Sequence, residues 1–346
     1  MKKTLYILSS VAVLALAACE KQIDIDIEDQ QQMIVANAQG VAGEPLELSL
    51  TYSRPMFGSF YVAFDESYFP AISDATVSLR VNGGGTITAS HIGGNYSFPH
   101  TPQPGEELEL TIAVPGREPL VTTTSVPQEP LVDEIRVGER ESSPDIDNNT
   151  SVDYTVTIPL TDRGGTTDYY SIKMYIHDTA FYTYYDNNGA AYAHDTMADN
   201  RDWFECQDQL IVSGINIDDA LEGVAVPTFY GSEMLFNDAL IDGTTHSIDL
   251  QTDLNLGYLR YNGGYINGEY NPNFTYTVRG TIYVEVSSLS RDHYLYLQTM
   301  DSYDYDELMG LFSEPVQIHS NIDGGIGIFA VKAKKTFSHR FEIDQQ

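Results

Sequence analysis

The sequence predicts a mainly β protein: an N-terminal antiparallel β-sandwich of the immunoglobulin-like kind, followed by a second β-rich domain with a few short helices. Three observations support this fold class. Short apolar segments alternate with polar residues at a period of two, which is typical of half-buried strands. Turn-forming glycine, proline and asparagine residues separate these segments. Helical periodicity is confined to a few places in the second half of the chain.

The chain begins with a segment typical of a secretory signal peptide. Two lysines precede an apolar run, residues 5–18, that is too short to cross a bilayer as a permanent helix. The run ends in Leu16-Ala17-Ala18-Cys19, where a cysteine follows two small residues as in a bacterial lipid-attachment site. We therefore expect residues 1–18 to be removed, Cys19 to carry the lipid, and residues 19–26 to form a tether. The acyl chains would hold the protein on a membrane.

Residues 27–128 carry the strand patterns of the predicted sandwich. Turn sequences separate the patterns, and no helical pattern lies between them, so consecutive strands are expected to pair antiparallel. Pro127 and Pro130 then bracket a linker to the second domain. The alternating segments are residues 23–28, 46–50, 75–81, 108–112 and 121–124.

Residues 129–346 form the predicted second domain. Its strand patterns are rich in tyrosine, and the longest is residues 275–286. Asn187-Asn188-Gly189 is typical of a tight turn. Ser290 precedes a helical pattern and is a candidate helix cap. Two further short helices are predicted, at residues 218–221 and 232–240.

The composition is strongly acidic and restricts the partners. The chain has 18 Lys and Arg residues against 50 Asp and Glu residues, a formal net charge of −32. Such a surface repels phosphate backbones, so we predict no nucleic-acid partner. Cys206 is the only cysteine besides Cys19. Because its neighbours Trp203 and Phe204 are apolar, we expect a buried and unreactive thiol.

Motifs for catalysis are missing from the sequence. It has no Gly-x-Ser-x-Gly, His-Glu-x-x-His, phosphate-loop or Cys-x-x-Cys pattern. We therefore predict no enzymatic activity, no catalytic residue, no cofactor and no metal. A surface hydrolase stays open as an alternative, because the two carboxylates of a glycosidase need no fixed sequence spacing. Residues 145–149 resemble the start of a calcium loop, but Thr150 occupies the place of its turn glycine, which favours a solvated loop.

Tyrosine is unusually frequent, with 24 residues against one tryptophan. Its large rigid ring and polar tip suit interfaces, although it is also a good strand residue. Residues 257–273 combine tyrosine with glycine and asparagine. We expect Asn262-Gly263-Gly264 and Asn267-Gly268 to prevent regular structure there, and loops of this kind commonly bind partners. The predicted contacts with a partner or ligand are Tyr258, Tyr261, Tyr265 and Tyr270.

Three stretches together resemble a known family. They are Cys19 with residues 23–28, residues 72–83, and residues 312–329, of which 320–329 are the most specific. Over nearly the whole mature chain the sequence is similar to the Bacteroidota lipoproteins catalogued as domain of unknown function 4249. Such proteins are typically encoded beside TonB-dependent receptors, so the resemblance implies an outer-membrane lipoprotein that partners such a receptor. It supplies no catalytic or ligand residues.

The function expected from this resemblance is accessory. The protein would assist the receptor in the uptake of a small-molecule nutrient, as a non-catalytic accessory or ligand-capture partner that faces the cell exterior. Glu20 favours export to the outer face and Lys21 does not, so the sequence does not decide between the outer and the periplasmic face of the outer membrane. The alternatives are a structural or assembly lipoprotein without a ligand and, third, a surface hydrolase. In residues 320–329 we expect three glycines to allow close backbone approach, while Ile326, Ile328 and Phe329 return to the core.

Overall fold

The computed structural model describes residues 32–53, 70–141, 151–212, 228–255, 265–309 and 317–345. The predicted signal peptide, Cys19 and the tether lie outside these residues, as do the loop at 145–149 and the predicted helix at 218–221. Within the described residues the protein is mainly β, with several sheets, which confirms the predicted class at that level.

Strands dominate both halves of the described chain. In the N-terminal half they are β1 (Ile34–Val41), β2 (Glu47–Tyr52), β3 (Thr76–Val81), β4 (Thr86–Thr88), β5 (Ser90–Ile92), β6 (Asn95–Ser97), β7 (Glu107–Ala113) and β8 (Leu120–Ser125). In the C-terminal half they are β9 (Arg136–Glu141), β10 (Ser151–Thr161), β11 (Tyr169–Tyr185), β12 (Ala191–Arg201), β13 (Phe204–Cys206), β14 (Phe229–Gly231), β15 (Glu233–Asn237), β16 (Thr245–Asn255), β17 (Tyr265–Ile266), β18 (Glu269–Tyr270), β19 (Phe274–Leu289) and β20 (Ile326–Gln345). The helices are α1 (Gln209–Val212) and α2 (Arg291–Met309).

Two sheets enclose the N-terminal core. One has the order β4-β3-β7-β8, and the other contains β1-β2-β6-β5. The sequence alternation explains the packing: Leu108, Leu110 and Ile112 of β7 are buried at a period of two, while the residues between them are only partly covered. Buried side chains of both sheets form one cluster, the N-terminal core.

The last strand of the chain completes this N-terminal half. The first part of β20 pairs parallel with β1, from Val35 opposite Ile326 to Val41 opposite Lys332. Phe329 and Val331 belong to the N-terminal core. The sequence predicts an antiparallel sandwich formed by residues 27–128 alone. The structure differs from this prediction, because β20 from the end of the chain joins the sandwich as a parallel strand. Alternation reveals that a strand is half-buried but does not reveal its partner.

The sheet that contains β1-β2-β6-β5 continues into the C-terminal half as β12-β11-β19-β20, with β15 also paired to β11. A separate sheet of this half has the order β14-β13-β16-β10-β9. The buried side chains of these C-terminal strands form a second cluster, the C-terminal core. From Ala333 onward β20 pairs antiparallel with β19. One strand therefore serves both cores, and the sheet runs across the predicted division between residues 128 and 129, which itself stays a prediction.

Residues 320–329 lead into β20 and tie the two halves together. The side-chain amide of Asn321 donates to the Phe329 carbonyl at 2.8 Å and accepts from the Phe329 N–H at 2.9 Å. Thr122 of β8 donates to the Asn321 carbonyl at 2.7 Å. The expected close approach is present, because a Cβ on Gly327 would lie 2.1 Å from the Ala36 carbonyl oxygen. Ile328 and Phe329 are fully buried, as expected.

Two sequence predictions in this half are wrong. Ile326 does not return to the core: it is 41% exposed, as the first residue of β20 where the strand enters the sheet. Residues 232–240 do not form a helix, because Glu233–Asn237 is strand β15, paired with β11. Met234 and Phe236 are buried at a period of two, and the strand partner decides the conformation of this short segment.

Helix α2 begins as the sequence predicts. The Ser290 hydroxyl accepts a hydrogen bond from the His293 N–H at 3.3 Å, and the Ser290 carbonyl accepts one from Tyr294 at 3.0 Å. The helix packs on β20 and β11. In the part of the chain that the structure describes, no helix has the length and apolar character needed to span a bilayer.

Candidate functional site

The structure describes two of the four predicted contact tyrosines, and both belong to a short hairpin. Tyr258 and Tyr261 lie outside the described residues. Tyr265 and Tyr270 are directly opposite each other in the antiparallel pair β17–β18. The expectation that Asn267-Gly268 prevents regular structure is wrong, because both residues have positive φ, 53° and 83°, and form the turn of the hairpin.

A cleft of about 590 Å³ lies where the linker, a loop of the C-terminal half and the start of helix α2 meet. The end of β8 contributes Ser125, and the linker contributes Pro127 and Gln128. Junctions between compact units are common places for ligand sites. The remaining lining residues are Arg163, Thr166, Thr167, Asp168, Tyr169, Ser288, Leu289, Ser290 and Arg291.

Asp162 fixes the loop that carries the cleft residues Arg163 to Asp168. Its Oδ2 accepts hydrogen bonds from the N–H groups of Gly164 at 2.7 Å and Gly243 at 2.8 Å. The Tyr170 hydroxyl donates to its Oδ1 at 2.9 Å. Burial alone would raise the pKa of Asp162, but these donors stabilise the carboxylate and bring the pKa below its ordinary value.

Glycine is required where this loop meets its neighbour. Gly164 has a φ of 72°, and a Cβ there would lie 2.8 Å from the Cα of Gly243. A larger residue would push the two loops apart, because that contact is with backbone rather than with a flexible side chain. The position of Arg163 and Thr166 in the cleft therefore depends on Gly164.

Three carboxylates gather behind the loop. Oxygens of Asp162, Asp238 and Asp242 lie within 4.8 Å of one another, a spacing that a hard cation such as Ca²⁺ could bridge. The same carboxylates also bind protein donors: Asp238 accepts from the Asp168 N–H at 2.9 Å and Asp242 from the Gly165 N–H at 2.9 Å. The role that these contacts demonstrate is to hold the loop in place.

On the neighbouring carboxyl groups the effect of burial outweighs that of the hydrogen-bond donors. Burial raises the pKa of Asp238, and the charges of Asp162 and Asp168 raise it further. The hydrogen bond from the Asp168 N–H lowers this pKa, but by less. The pKa of Asp168 is raised by burial and by the charge of Asp162. Asp168 lines the cleft, so its carboxyl group is a hydrogen-bonding group available to a ligand.

Polar groups converge on the cleft from separate segments. Arg163 donates a hydrogen bond to the Glu129 carbonyl. Arg291, the first residue of α2, is exposed and has no hydrogen-bond or ion-pair partner among the described residues. Ser288 is only 5% exposed, and its hydroxyl likewise lacks a hydrogen-bond partner within the described ranges. With Tyr169 forming part of the wall, the cleft is suited to non-covalent binding of a polar ligand.

Sequence reasoning missed most of this cleft. The linker at Pro127 and the cap at Ser290 were recognisable, and Gly164-Gly165 between two strand patterns indicates a turn. Nothing in the local sequence, however, shows that three segments so far apart along the chain come together. The hairpin β17–β18 is a separate feature, and none of the described residues that line the cleft belongs to it.

Two further buried groups lie away from the cleft. Cys206 is fully buried, and burial raises the pKa of its thiol to about 11, in agreement with an unreactive cysteine. Asp178 of β11 is 4% exposed, and within the described residues its carboxylate has no hydrogen-bond partner, only Arg201 at 3.9 Å. It lies nine residues, roughly 30 Å, along the strand from Tyr169. This carboxylate therefore gives the cleft no hydrolytic pair.

Comparison with known families gives one match. A family model described as a domain of unknown function (DUF4249) matches residues 20–338. The chain belongs to the DUF4249 family. None of the curated proteins matches it. The DUF4249 match includes the cleft, the hairpin β17–β18 and the part of β20 that joins the two cores.

Proposed function

We propose that this DUF4249 protein is a lipid-anchored outer-membrane protein that captures a polar ligand for a TonB-dependent receptor, without itself catalysing a reaction. The observation that carries the capture role is the cleft. Its lining combines two arginines, a buried serine whose hydroxyl has no hydrogen-bond partner among the described residues, and a carboxyl group, contributed by two separate segments, 163–169 and 288–291. Such convergence of polar groups in a concavity is typical of ligand sites.

The sequence of the N-terminus supports the location. Cys19 follows an apolar run and two small residues, as lipid-attachment cysteines do. The residues between Cys19 and Ile34, where β1 begins, can span at most about 50 Å. The folded part would therefore lie close to the membrane surface, within reach of the exposed loops of a membrane receptor.

The resemblance to Bacteroidota lipoproteins supports a TonB-dependent receptor as the partner. In this proposal the protein faces the cell exterior, and the N-terminal sandwich is immunoglobulin-like and supports the C-terminal half. The hairpin β17–β18, with Tyr265 opposite Tyr270, is the proposed contact with the receptor.

The experiment is affinity purification of the tagged mature protein from detergent-solubilised native membranes. A TonB-dependent receptor should be enriched with the wild-type protein and identified by mass spectrometry. Enrichment of periplasmic or assembly proteins alone would favour a structural lipoprotein. Turnover of a glycan by the purified chain would favour the hydrolase.

A further inference from the structure

We propose that the ligand of the cleft is a hydroxylated anion, a sugar acid or a sugar phosphate, whose negative group binds between Arg163 and Arg291. This inference rests on the proposed capture function and assigns the chemical class of its ligand. Four features of the cleft, its arginines, the helix terminus, a buried hydroxyl and a carboxyl group, point to this class.

The first feature is a pair of arginines that form no ion pair with the described residues, although the charge of Arg163 acts on Asp168 from beyond ion-pair distance. The chain has only 18 basic residues and a net charge of −32, so basic side chains have many acids to pair with. Arg80 and Arg279 do so, at 3.0 Å from Glu109 and Glu342. Among the described residues, by contrast, neither Arg163 nor Arg291 has a carboxylate oxygen within ion-pair distance. Guanidinium groups bind carboxylates and phosphates with two parallel hydrogen bonds.

The second feature is the start of helix α2. The helix has 19 residues and begins at Arg291, directly at the cleft. Its N-terminus carries a partial positive charge, which favours an anion nearby. The helix terminus and the two arginines thus contribute charge of the same sign at one place.

The third feature is the Ser288 hydroxyl. Ser288 lines the cleft and is 5% exposed, and none of the described residues forms a hydrogen bond with its hydroxyl. A buried hydroxyl without a partner is unfavourable, and an oxygen of a bound ligand would supply the missing partner. This observation is independent of the arginines and of the helix.

The fourth feature explains why the anion should carry hydroxyl groups. Asp168 lines the same cleft, and its carboxylate would repel a simple anion. A carboxylate readily accepts hydrogen bonds from sugar hydroxyls. A ligand with hydroxyls near Asp168 and a negative group near the arginines satisfies both ends of the cleft.

The test is isothermal titration calorimetry on the full mature lipoprotein in detergent micelles. D-glucuronate, D-glucose 6-phosphate and D-glucose serve as probes of equal ring size. At least one of the two anions should bind about tenfold more tightly than D-glucose, and which of them binds distinguishes a carboxylate from a phosphate. Equal binding of all three sugars, or binding of neither anion, would overturn the proposal.

Variants locate the binding. Arg163→Ala and Arg291→Ala should each weaken the anion about tenfold or more, because each removes a charge-assisted contact. Arg340→Ala is the matched control, since Arg340 is also exposed and has no partner in the described part of the chain, but does not line the cleft. Unchanged binding in both cleft variants, or an equal loss in Arg340→Ala, would overturn the proposal.

Ser288→Ala separates a ligand contact from a structural role. It should weaken anion binding while leaving the melting temperature unchanged or slightly higher, because the hydroxyl has no hydrogen-bond partner to lose among the described residues. A lower melting temperature with unchanged binding would contradict the assignment. Receptor enrichment without anion binding would reject this inference alone, and anion binding without a receptor would reject only the partnership.

Discussion

At the scale of single residues, the tightest constraint lies where β20 meets β1. Gly327 has a φ of 119°, and a Cβ there would lie 2.1 Å from the Ala36 carbonyl oxygen. No side-chain rearrangement relieves a contact with backbone. Gly327→Ala should therefore reduce the free energy of unfolding by about 3 kcal/mol, measured by urea denaturation.

The control for this substitution is Gly85→Ala. A Cβ on Gly85 would meet nothing within 4 Å, and its φ is not positive. This variant should change stability by less than about 0.5 kcal/mol. Equal losses in the two variants would show that the close approach at β20 does not matter.

Asp162 and Asp238 belong to the three carboxylates gathered behind the loop, yet their substitution should change stability with opposite signs. Asp162 has a lowered pKa in the folded protein, so its hydrogen bonds stabilise the fold above the ordinary aspartate pKa and that stability is lost as the pH falls through the lowered value. Asp162→Asn should thus cost about 2 kcal/mol at pH 7, because two glycine N–H groups lose an anionic acceptor. The cost should shrink in acid.

Asp238 has a raised pKa, so its ionised form opposes folding above that pKa and the penalty disappears as the pH falls through it. Asp238→Asn should therefore raise the melting temperature at pH 7 and have less effect near pH 4, since the amide oxygen still accepts from Asp168. Thermal unfolding of both variants at the two pH values checks this. Shifts of the same sign at pH 7 would contradict it.

The proposed anchor also depends on one residue. Cys19→Ala should move the protein from the membrane fraction to the soluble fraction, because no other predicted lipid-attachment site is present in the sequence. Fractionation after a salt wash and immunoblotting measure this. A variant that still sediments with membranes would place the anchor elsewhere.

At the scale of elements, the sequence predicts conformation better than partnership. The alternation of β7, residues Glu107–Ala113, identifies both its strand character and its buried face. The glycines of residues 320–329 indicate close approach, and the structure confirms it. The pattern of Glu233–Asn237 is short enough to suit a helix or a strand, and only its pairing with β11 decides between them.

Strand β20 allows the importance of a distant strand partner to be tested. Its first part supplies Phe329 and Val331 to the N-terminal core and covers β1. A fragment of residues 19–128 lacks this strand, so we expect it to show no cooperative thermal transition by circular dichroism. The full mature chain is the reference. Cooperative unfolding of the isolated fragment would show that the N-terminal half does not need β20.

At the scale of the whole molecule, the cleft illustrates what local sequence patterns omit. Its lining comes from residues 125–128, 163–169 and 288–291, and each segment alone looks like a linker, a turn or a helix cap. Long-range strand pairing brings them together, as β11 and β19 carry Tyr169 opposite Leu289. The three clustered carboxylates are a second example, because Asp162 and Asp238 are distant in sequence but adjacent in space.

The most direct test of the proposed partnership is the amount of TonB-dependent receptor recovered with the tagged protein. Tyr265→Ala combined with Tyr270→Ala removes the two tyrosines at paired positions of β17 and β18. Tyr230→Ala, which truncates a tyrosine that is 65% exposed elsewhere, is the control. We predict that wild-type and Tyr230→Ala proteins recover the receptor, and that the double variant recovers at least tenfold less, about 1.4 kcal/mol, at an unchanged melting temperature. Equal recovery by all three proteins would contradict the hairpin contact, and wild-type protein that recovers no receptor would contradict the proposed function.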